Sequence, residues 1–147
     1  MDEKNVENSK TSVGIPTASA GEKKSILIVE DEISLSSALN DKLTLVGYDV
    51  ALAKNGQEGL DAIKKHKPDL ILLDVVMPVM DGMTMLRELH KTTETQDIPV
   101  IILSNLSDNQ DVLHAMENNT YDYLIKSDIS LEAVLERVKA KLEANKS

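Results

Sequence analysis

The amino-acid sequence predicts a doubly wound α/β domain with a five-stranded parallel sheet. Short aliphatic runs alternate with segments of helical apolar period five times after residue 24. The central runs are apolar at every position, which is typical of parallel strands covered by helices on both faces. The chain has 147 residues, of which 41% are hydrophobic, and this size and composition fit a single domain with its own core.

Two strand and helix pairs are predicted in the first half of the chain. Residues 26–29 are an aliphatic run that predicts the first strand. In the helix that follows, apolar residues recur at spacings of four and three: Leu35, Leu39, Leu43 and Val46. Gly47 is typical of the residue just after a helix. Residues 48–53 predict a second strand, and Asn55 can cap a second helix that Pro68 ends.

Three further pairs follow the same alternation. Their strands are residues 70–73, 100–103 and 121–125. Pro78 and Gly82 mark a loop after the first of these strands, and the apolar spacing beyond it predicts a short helix that ends near Leu89. Residues 108–118 carry an apolar helical face, and Ser130 can cap the last helix. The carboxyl ends of all five strands would lie at one edge of the sheet, where doubly wound domains hold their functional groups.

Composition and charge exclude several classes of function. Residues 1–24 hold four acidic and four basic side chains and no apolar period, so we expect a disordered tail and a domain over residues 25–147. That domain carries the whole net charge of −9, which disfavours nucleic acid and anionic membranes as partners. The absence of cysteine excludes disulfides and thiolate catalysis. Because no apolar stretch reaches about 18 residues and no signal sequence is present, we expect a cytoplasmic protein.

Charged and polar side chains stand just beyond the predicted strands. They are Glu30, Asp31 and Glu32, then Asp74, then Ser104 and Asn105, and finally Lys126. Carboxylates that converge at one edge repel each other by roughly 4 kcal/mol for each close pair, so a cation is needed to compensate. Oxygen ligands of this kind suit Mg²⁺. Together, Mg²⁺ and Lys126 would offset three carboxylates and leave a nearly neutral site suited to phosphoryl transfer, with a central carboxylate as the nucleophile.

The order of these residues resembles the receiver domain of two-component response regulators, the CheY-like family. The resemblance is carried by Glu30-Asp31-Glu32, by Asp74 with Met77-Pro78, Met80, Asp81 and Gly82, by Ser104, and by Tyr123 three residues before Lys126. It covers residues 25 to about 145, and the matching residues occur in order at the predicted strand ends. It implies a flavodoxin-like (βα)5 fold with strand order 2-1-3-4-5.

The resemblance also implies a role for each of these side chains. Asp74 would accept a phosphoryl group from a sensor histidine kinase or a histidine phosphotransfer protein. The Mg²⁺ ligands would be Asp31, Asp74 and the backbone carbonyl of Val76, with Glu30 acting through water. Ser104 and Lys126 would bind phosphoryl oxygens, and Tyr123 would change position with the phosphorylation state and present a new surface to a downstream protein. Glu32 is expected to be solvated.

Two residues depart from the family pattern. Ser127 follows Lys126 where family members usually have proline, so the loop into the last helix is expected to differ. Asn105 follows Ser104 where a small alanine or glycine is usual, and it could crowd the path of the phosphoryl group. Neither change removes a reactive group.

Functions of other classes are less well supported. A hydrolase of the D-x-D type would need a second acid two residues after Asp74, where Val76 stands. Neither a P-loop nor a G-x-G-x-x-G turn after a strand is present, which argues against a nucleotide-binding domain. A receiver-fold binding module that acts without phosphorylation stays open as the alternative. The last helix is predicted to end near Ala144, three residues before the end of the sequence, so we expect a stand-alone receiver that signals by contact and is not an enzyme.

Overall fold

The computed structural model describes residues 23–105 and 122–144, which form a five-stranded sheet with helices on both faces. The strands are β1 (Ser25–Val29), β2 (Asp49–Ala53), β3 (Leu70–Asp74), β4 (Val100–Ser104) and β5 (Asp122–Ile125). The helices are α1 (Ile33–Leu45), α2 (Gly56–Lys65), α3 (Gly82–Leu89) and α4 (Leu131–Ala144). A 3₁₀ turn over Lys126–Asp128 leads from β5 toward α4. The predicted helix over residues 108–118 and most of the predicted tail lie outside the described residues.

All strand pairs in the sheet are parallel, and the strand order is β2-β1-β3-β4-β5. This arrangement confirms the order that the family resemblance implies. Val29 pairs with Leu73, and Ser104 pairs with Ile125, so the carboxyl ends of the four strands β1, β3, β4 and β5 are in register. The residues that follow these ends therefore share one edge of the sheet.

The core consists of two aliphatic layers, one on each face of the sheet. Along β1, Leu27 and Val29 pack toward α2 and α3, whereas Ile26 and Ile28 pack toward α1 and α4. Each of these side chains is at most 2% exposed, which corresponds to roughly 1.5 to 3 kcal/mol of transfer free energy per side chain. Burial on both faces is consistent with the position of β1 inside the sheet, between β2 and β3. Within the described part of the chain, no helix is long and apolar enough to cross a membrane.

Side-chain caps fix where the helices around the site begin. Asn55 accepts a hydrogen bond from the Glu58 amide at 2.9 Å, and Ser130 accepts one from the Ala133 amide at 3.0 Å, which confirms both predicted caps. Asp81 caps α3 in the same way, since its Oδ1 accepts from the Thr84 amide at 2.8 Å. The sequence pattern predicts only a loop at Asp81, so this cap is seen only in the structure.

Deleting residues 2–22 should leave the melting temperature unchanged, because the tail has no apolar period with which to dock. The deletion keeps Lys24, whose carbonyl accepts a hydrogen bond from the Asp49 amide at 2.9 Å and so belongs to the sheet. Thermal unfolding of the full chain and the shortened chain tests this expectation. A fall of several degrees on deletion would show that the tail packs on the domain.

Candidate functional site

Three carboxylates meet at the carboxyl edge of the sheet. Glu30 directly follows β1, and Asp74 is the last residue of β3. Together with Asp31 they can each place one oxygen within 4.8 Å of the others. Glu30 and Asp74 are only 2% and 3% exposed, whereas Asp31 is exposed. The structure thus brings together the acidic residues that the sequence analysis singled out.

Lys126 is the basic residue of this cluster, and it reaches the cluster from the end of β5. Its Nζ lies 3.2 Å from the Glu30 carboxylate, 3.3 Å from Glu32 Oε1 and 3.4 Å from Asp74 Oδ2. The Glu32 side chain is 57% exposed but still contacts the ammonium group, so the expectation of a merely solvated Glu32 was incomplete. Glu32 is a third acidic partner of Lys126 at the solvent side of the cluster.

Burial and charge act in opposite directions on the titration of the cluster. Burial, reinforced by the charge of Glu30, raises the pKa of Asp74 to about 7 in spite of the nearby ammonium of Lys126. Burial alone would lower the pKa of Lys126, but its ion pairs with Asp74 and Glu30 outweigh burial and raise it. The cluster therefore has more negative charge than Lys126 alone can offset.

Two buried oxygens at this edge have no hydrogen-bond partner among the residues that the structure describes. Ser104 is 1% exposed, and its Oγ is unpaired. Glu30 Oε1 lies 3.2 Å from Lys126 Nζ, but the hydrogen bond with correct geometry goes to Oε2. A buried polar atom without a partner costs about 1 to 3 kcal/mol, so both atoms indicate a place where a polar ligand completes the site.

The loop that follows Asp74 depends on a close approach by Gly82. The site loop, defined here as residues 75–81, is closed by a hydrogen bond of 2.9 Å from the Gly82 amide to the Val75 carbonyl. A Cβ at position 82 would collide with the backbone carbonyl oxygen of Asp74. The sequence shows Gly82 as a loop residue, but only the fold reveals that it packs on the backbone of Asp74.

Val79 has an unfavourable backbone conformation within the site loop. Its φ is 68°, which costs a β-branched residue roughly 1 to 2 kcal/mol, and its side chain is 84% exposed. Val79→Asn should raise the free energy of unfolding by about 1 kcal/mol, because asparagine tolerates this conformation. Val79→Ala is the control, since it keeps a Cβ at the same φ. Urea unfolding in which the two variants are equally stable would contradict this interpretation.

Asn105 and Ser127, the two departures from the family pattern, both line an open cavity. The cavity has a volume of about 470 Å³ and also adjoins Lys126 and the beginning of α1. Both residues are exposed. The cavity leaves open space beside Lys126.

Tyr123 lies on β5, one strand away from Ser104. Ser104 pairs with Ile125, and alternation along the strand places Tyr123 and Ile125 on the same face of the sheet. The Tyr123 side chain is 48% exposed, and Arg137 of α4 donates a hydrogen bond to its backbone carbonyl at 3.3 Å. Tyr123 is thus half-exposed and lies on the same face of the sheet as Ser104.

The ligand set of the cluster fits a hard divalent cation. Carboxylate oxygens are the ligands that Mg²⁺ prefers, and one exposed and two buried carboxylates leave coordination positions for water and phosphoryl oxygens. Burial, followed by the charge of Glu30, raises the pKa of Asp74, and a bound cation would favour its ionised form. The residues present therefore fit the metal that the sequence analysis expects.

Comparison with known proteins gives one consistent match. Residues 26–139 match the family model described as the response regulator receiver domain. Among solved structures, the signal receiver domain of a histidine kinase from Syntrophus aciditrophicus is similar, with a TM-score of 0.76, 35% identity, and coverage of 84% of this chain and 92% of that one. The receiver domain of the Francisella response regulator 1452 has a TM-score of 0.73 and 28% identity, and the match covers 84% of this chain and 100% of that one.

The curated relatives are longer than this chain. A probable transcriptional regulator, ycf27 of Porphyridium aerugineum, is 38% identical over 105 residues, which are 71% of this chain and 42% of that protein. The DNA-binding dual master transcriptional regulator RpaA of Synechocystis sp. is 37% identical over 117 residues, or 80% of this chain and 48% of that protein. The chain thus spans about half the length of these relatives, which do not support the expectation of a stand-alone receiver.

Proposed function

Because the chain belongs to the family of response regulator receiver domains, we propose that it accepts a phosphoryl group on Asp74 from a phosphohistidine and signals through a changed surface. One observation carries the proposal. Asp74 is buried beside Lys126 and two acidic neighbours, at an edge where the buried Ser104 hydroxyl has no partner within residues 23–105 and 122–144. A phosphoryl group on Asp74 would bring acceptor oxygens to both Lys126 and Ser104.

The reaction transfers one phosphoryl group between two side chains. An Oδ atom of Asp74 attacks phosphorus, and the new O–P bond forms while the N–P bond of the phosphohistidine breaks. The imidazole nitrogen keeps the electron pair of the broken bond. Asp74 has to be ionised to attack, and Lys126, with its Nζ 3.4 Å from Oδ2, favours the ionised form.

Asp31, Asp74 and the Val76 carbonyl would hold Mg²⁺, with Glu30 acting through water. When bound, the ion supplies the positive charge that the carboxylate cluster lacks and attracts phosphoryl oxygens. Lys126 would bind another phosphoryl oxygen. Its Nζ donates a hydrogen bond of 3.2 Å to Glu30, which keeps the lysine in place. Asp74 itself carries the phosphoryl group after the transfer. We therefore describe the domain as a switch and not as an enzyme.

We further propose that Ser104 and Tyr123 transmit the change. Donation from the Ser104 hydroxyl to a phosphoryl oxygen would move the hydroxyl toward Asp74 and free space behind it. Tyr123 shares the face of Ser104 and is half-exposed, so its ring can turn into that space. The face around β5 and α4 would then present the output surface to a protein target.

The partners follow from the same chemistry. The donor would be a histidine kinase or a histidine phosphotransfer protein, because their phosphohistidines carry the phosphoryl group that Asp74 would accept. Residues 25–147 carry 21 acidic and 12 basic residues, which disfavours DNA as a partner of this segment. We place the phosphoryl transfer in the cytoplasm. Proteins of that compartment ordinarily have no disulfides, and this sequence has neither cysteine nor an apolar stretch long enough to cross a membrane.

Incubating the full chain with Mg²⁺ and a small phosphoramidate, followed by intact mass measurement, tests the proposal. We expect a gain of one phosphoryl group in wild type, none in Asp74→Asn, and none when EDTA replaces Mg²⁺. Asp41→Asn, on the exposed face of α1, is the control and should be phosphorylated like wild type. A protein that stays unmodified, although folded and supplied with Mg²⁺, would instead support the alternative of a binding module that acts without phosphorylation.

A further inference from the structure

Met80 anchors the site loop to the beginning of α2. Its backbone carbonyl accepts a hydrogen bond from the Gly56 amide at 2.9 Å. Its side chain lies over the same glycine: a Cβ built on Gly56 would be 2.8 Å from Met80 Cγ and 3.0 Å from Sδ. Met80 therefore holds the loop to α2 by main chain and side chain together, immediately after the strained residue Val79.

The methionines around the site differ in how far solvent can reach them. Among those in the described part of the chain, Met77 and Met85 are buried, at 8% and 0% exposure. Met80 and Met83 are partly exposed, and both pack against the core layer formed with α2 and α3. Met83 is part of α3, whereas Met80 belongs to the loop that follows Asp74. Met80 is thus partly exposed, and it lies where a change would act on the site.

We propose that Met80 is an oxidation site through which peroxides lower the phosphoryl acceptance of Asp74, an inference that rests on the proposed function. In this step a lone pair of the Met80 sulfur attacks one oxygen of hydrogen peroxide. The S–O bond forms as the O–O bond breaks, and the departing hydroxide takes the proton of the sulfur-bound hydroxyl to become water. The sulfur loses two electrons, the peroxide gains them, and the product is methionine sulfoxide.

The sulfoxide does not fit the place of the thioether. Its oxygen is a strong hydrogen-bond acceptor, and the described surroundings of the sulfur are Gly56 and an aliphatic core layer. The side chain must therefore leave Gly56 to be solvated, and the hydrogen bond from the Gly56 amide loses its support. The site loop, which carries the Val76 carbonyl and adjoins Asp74, is then held less firmly.

Peroxide treatment of the full chain followed by phosphorylation tests the inference. The protein is oxidised with hydrogen peroxide, the peroxide is removed, and peptide mapping locates the sulfoxides. We expect wild type oxidised at Met80 to accept phosphoryl from a phosphoramidate several-fold more slowly than untreated wild type. Methionine sulfoxide reductase should restore the rate. Met80→Leu, compared with its own untreated sample, should not respond to peroxide, whereas the matched variant Met83→Leu should respond like wild type.

Amide hydrogen exchange gives a second readout that does not depend on phosphorylation. Peptides that cover residues 75–82 should exchange faster after oxidation in wild type and in Met83→Leu, but not in Met80→Leu. The inference is overturned if wild type carrying Met80 sulfoxide keeps both its phosphorylation rate and its exchange protection, or if Met80→Leu loses both to the same extent. If untreated wild type accepts no phosphoryl group, the proposed function fails, and faster exchange alone would show that Met80 oxidation still loosens the site loop.

Discussion

Asp74→Asn will stabilise the protein in the absence of a metal ion, and the gain will grow as the pH rises from about 4 to about 7. The Asp74 carboxyl is buried beside Glu30, and its pKa of about 7 lies well above the ordinary value of 3.8. The folded state thus keeps a proton that the unfolded state releases within this range. The wild-type protein loses stability by up to about 1.4 kcal/mol per pH unit through this group, and the loss levels off above the folded-state pKa.

The asparagine side chain does not titrate, so the variant escapes this loss. At about pH 8 we expect it to be more stable than wild type by on the order of 3 kcal/mol. Saturating Mg²⁺ should make wild type the more stable of the two proteins. An ion that binds the folded state stabilises wild type by mass action, and it has one ligand fewer in the variant. Both effects follow from one carboxylate whose charge is uncompensated without a cation.

Urea unfolding across this pH range, with EDTA and with Mg²⁺, measures the effect. Asp41→Asn, an exposed change on α1, should not reproduce the divergence from wild type. Parallel stability curves for wild type and Asp74→Asn over the whole range would mean that burial and Glu30 do not perturb Asp74. An unchanged response of the variant to Mg²⁺ would argue against a metal site that includes this residue.

Lys126→Met should destabilise the metal-free protein by about 3 kcal/mol near pH 8, because it removes the ammonium group from between buried carboxylates. The Lys126 side chain is 13% exposed. It contacts the side chains of Glu30 and Asp74, of which 0% and 5% of the side-chain surface is exposed. The methionine retains most of the aliphatic stem, so the measured loss reflects charge more than packing. Below about pH 6 the loss should be smaller, because protonation of Asp74 removes one of the two buried charges.

Two further variants separate this effect from a general sensitivity to lysine loss. Lys42 pairs with Glu132 on the surface, where the glutamate is 71% exposed, and Lys42→Met should cost less than about 1 kcal/mol. The double variant Lys126→Met/Glu30→Gln should recover part of the stability, because the glutamine leaves no uncompensated charge at position 30. Two results would show that the buried ion cluster does not stabilise the fold. One is an equal loss of unfolding free energy in Lys126→Met and Lys42→Met, and the other is a double variant that is less stable than Lys126→Met.

The sequence by itself determined the sheet and the chemistry at its edge. Short, fully apolar runs such as residues 70–73 are typical of strands buried on both faces, and their alternation with helical periods favours parallel order. Parallel order gathers the residues after each strand, so Asp74 and Lys126 were found before any distance was known. The caps at Asn55 and Ser130 were equally predictable, because a cap involves residues that are near each other in the chain.

Only the tertiary structure decided how those groups act on each other. Glu30 and Lys126 are 96 positions apart, and their contact sets the charge balance that perturbs Asp74. The close approach of Gly82 to the Asp74 backbone and the packing of Met80 on Gly56 likewise join residues from different elements. Electrostatic interactions and steric exclusion depend on separations of a few ångströms and on access to water. Local sequence patterns fix which edge a side chain reaches, but such separations exist only once the helices and strands have packed.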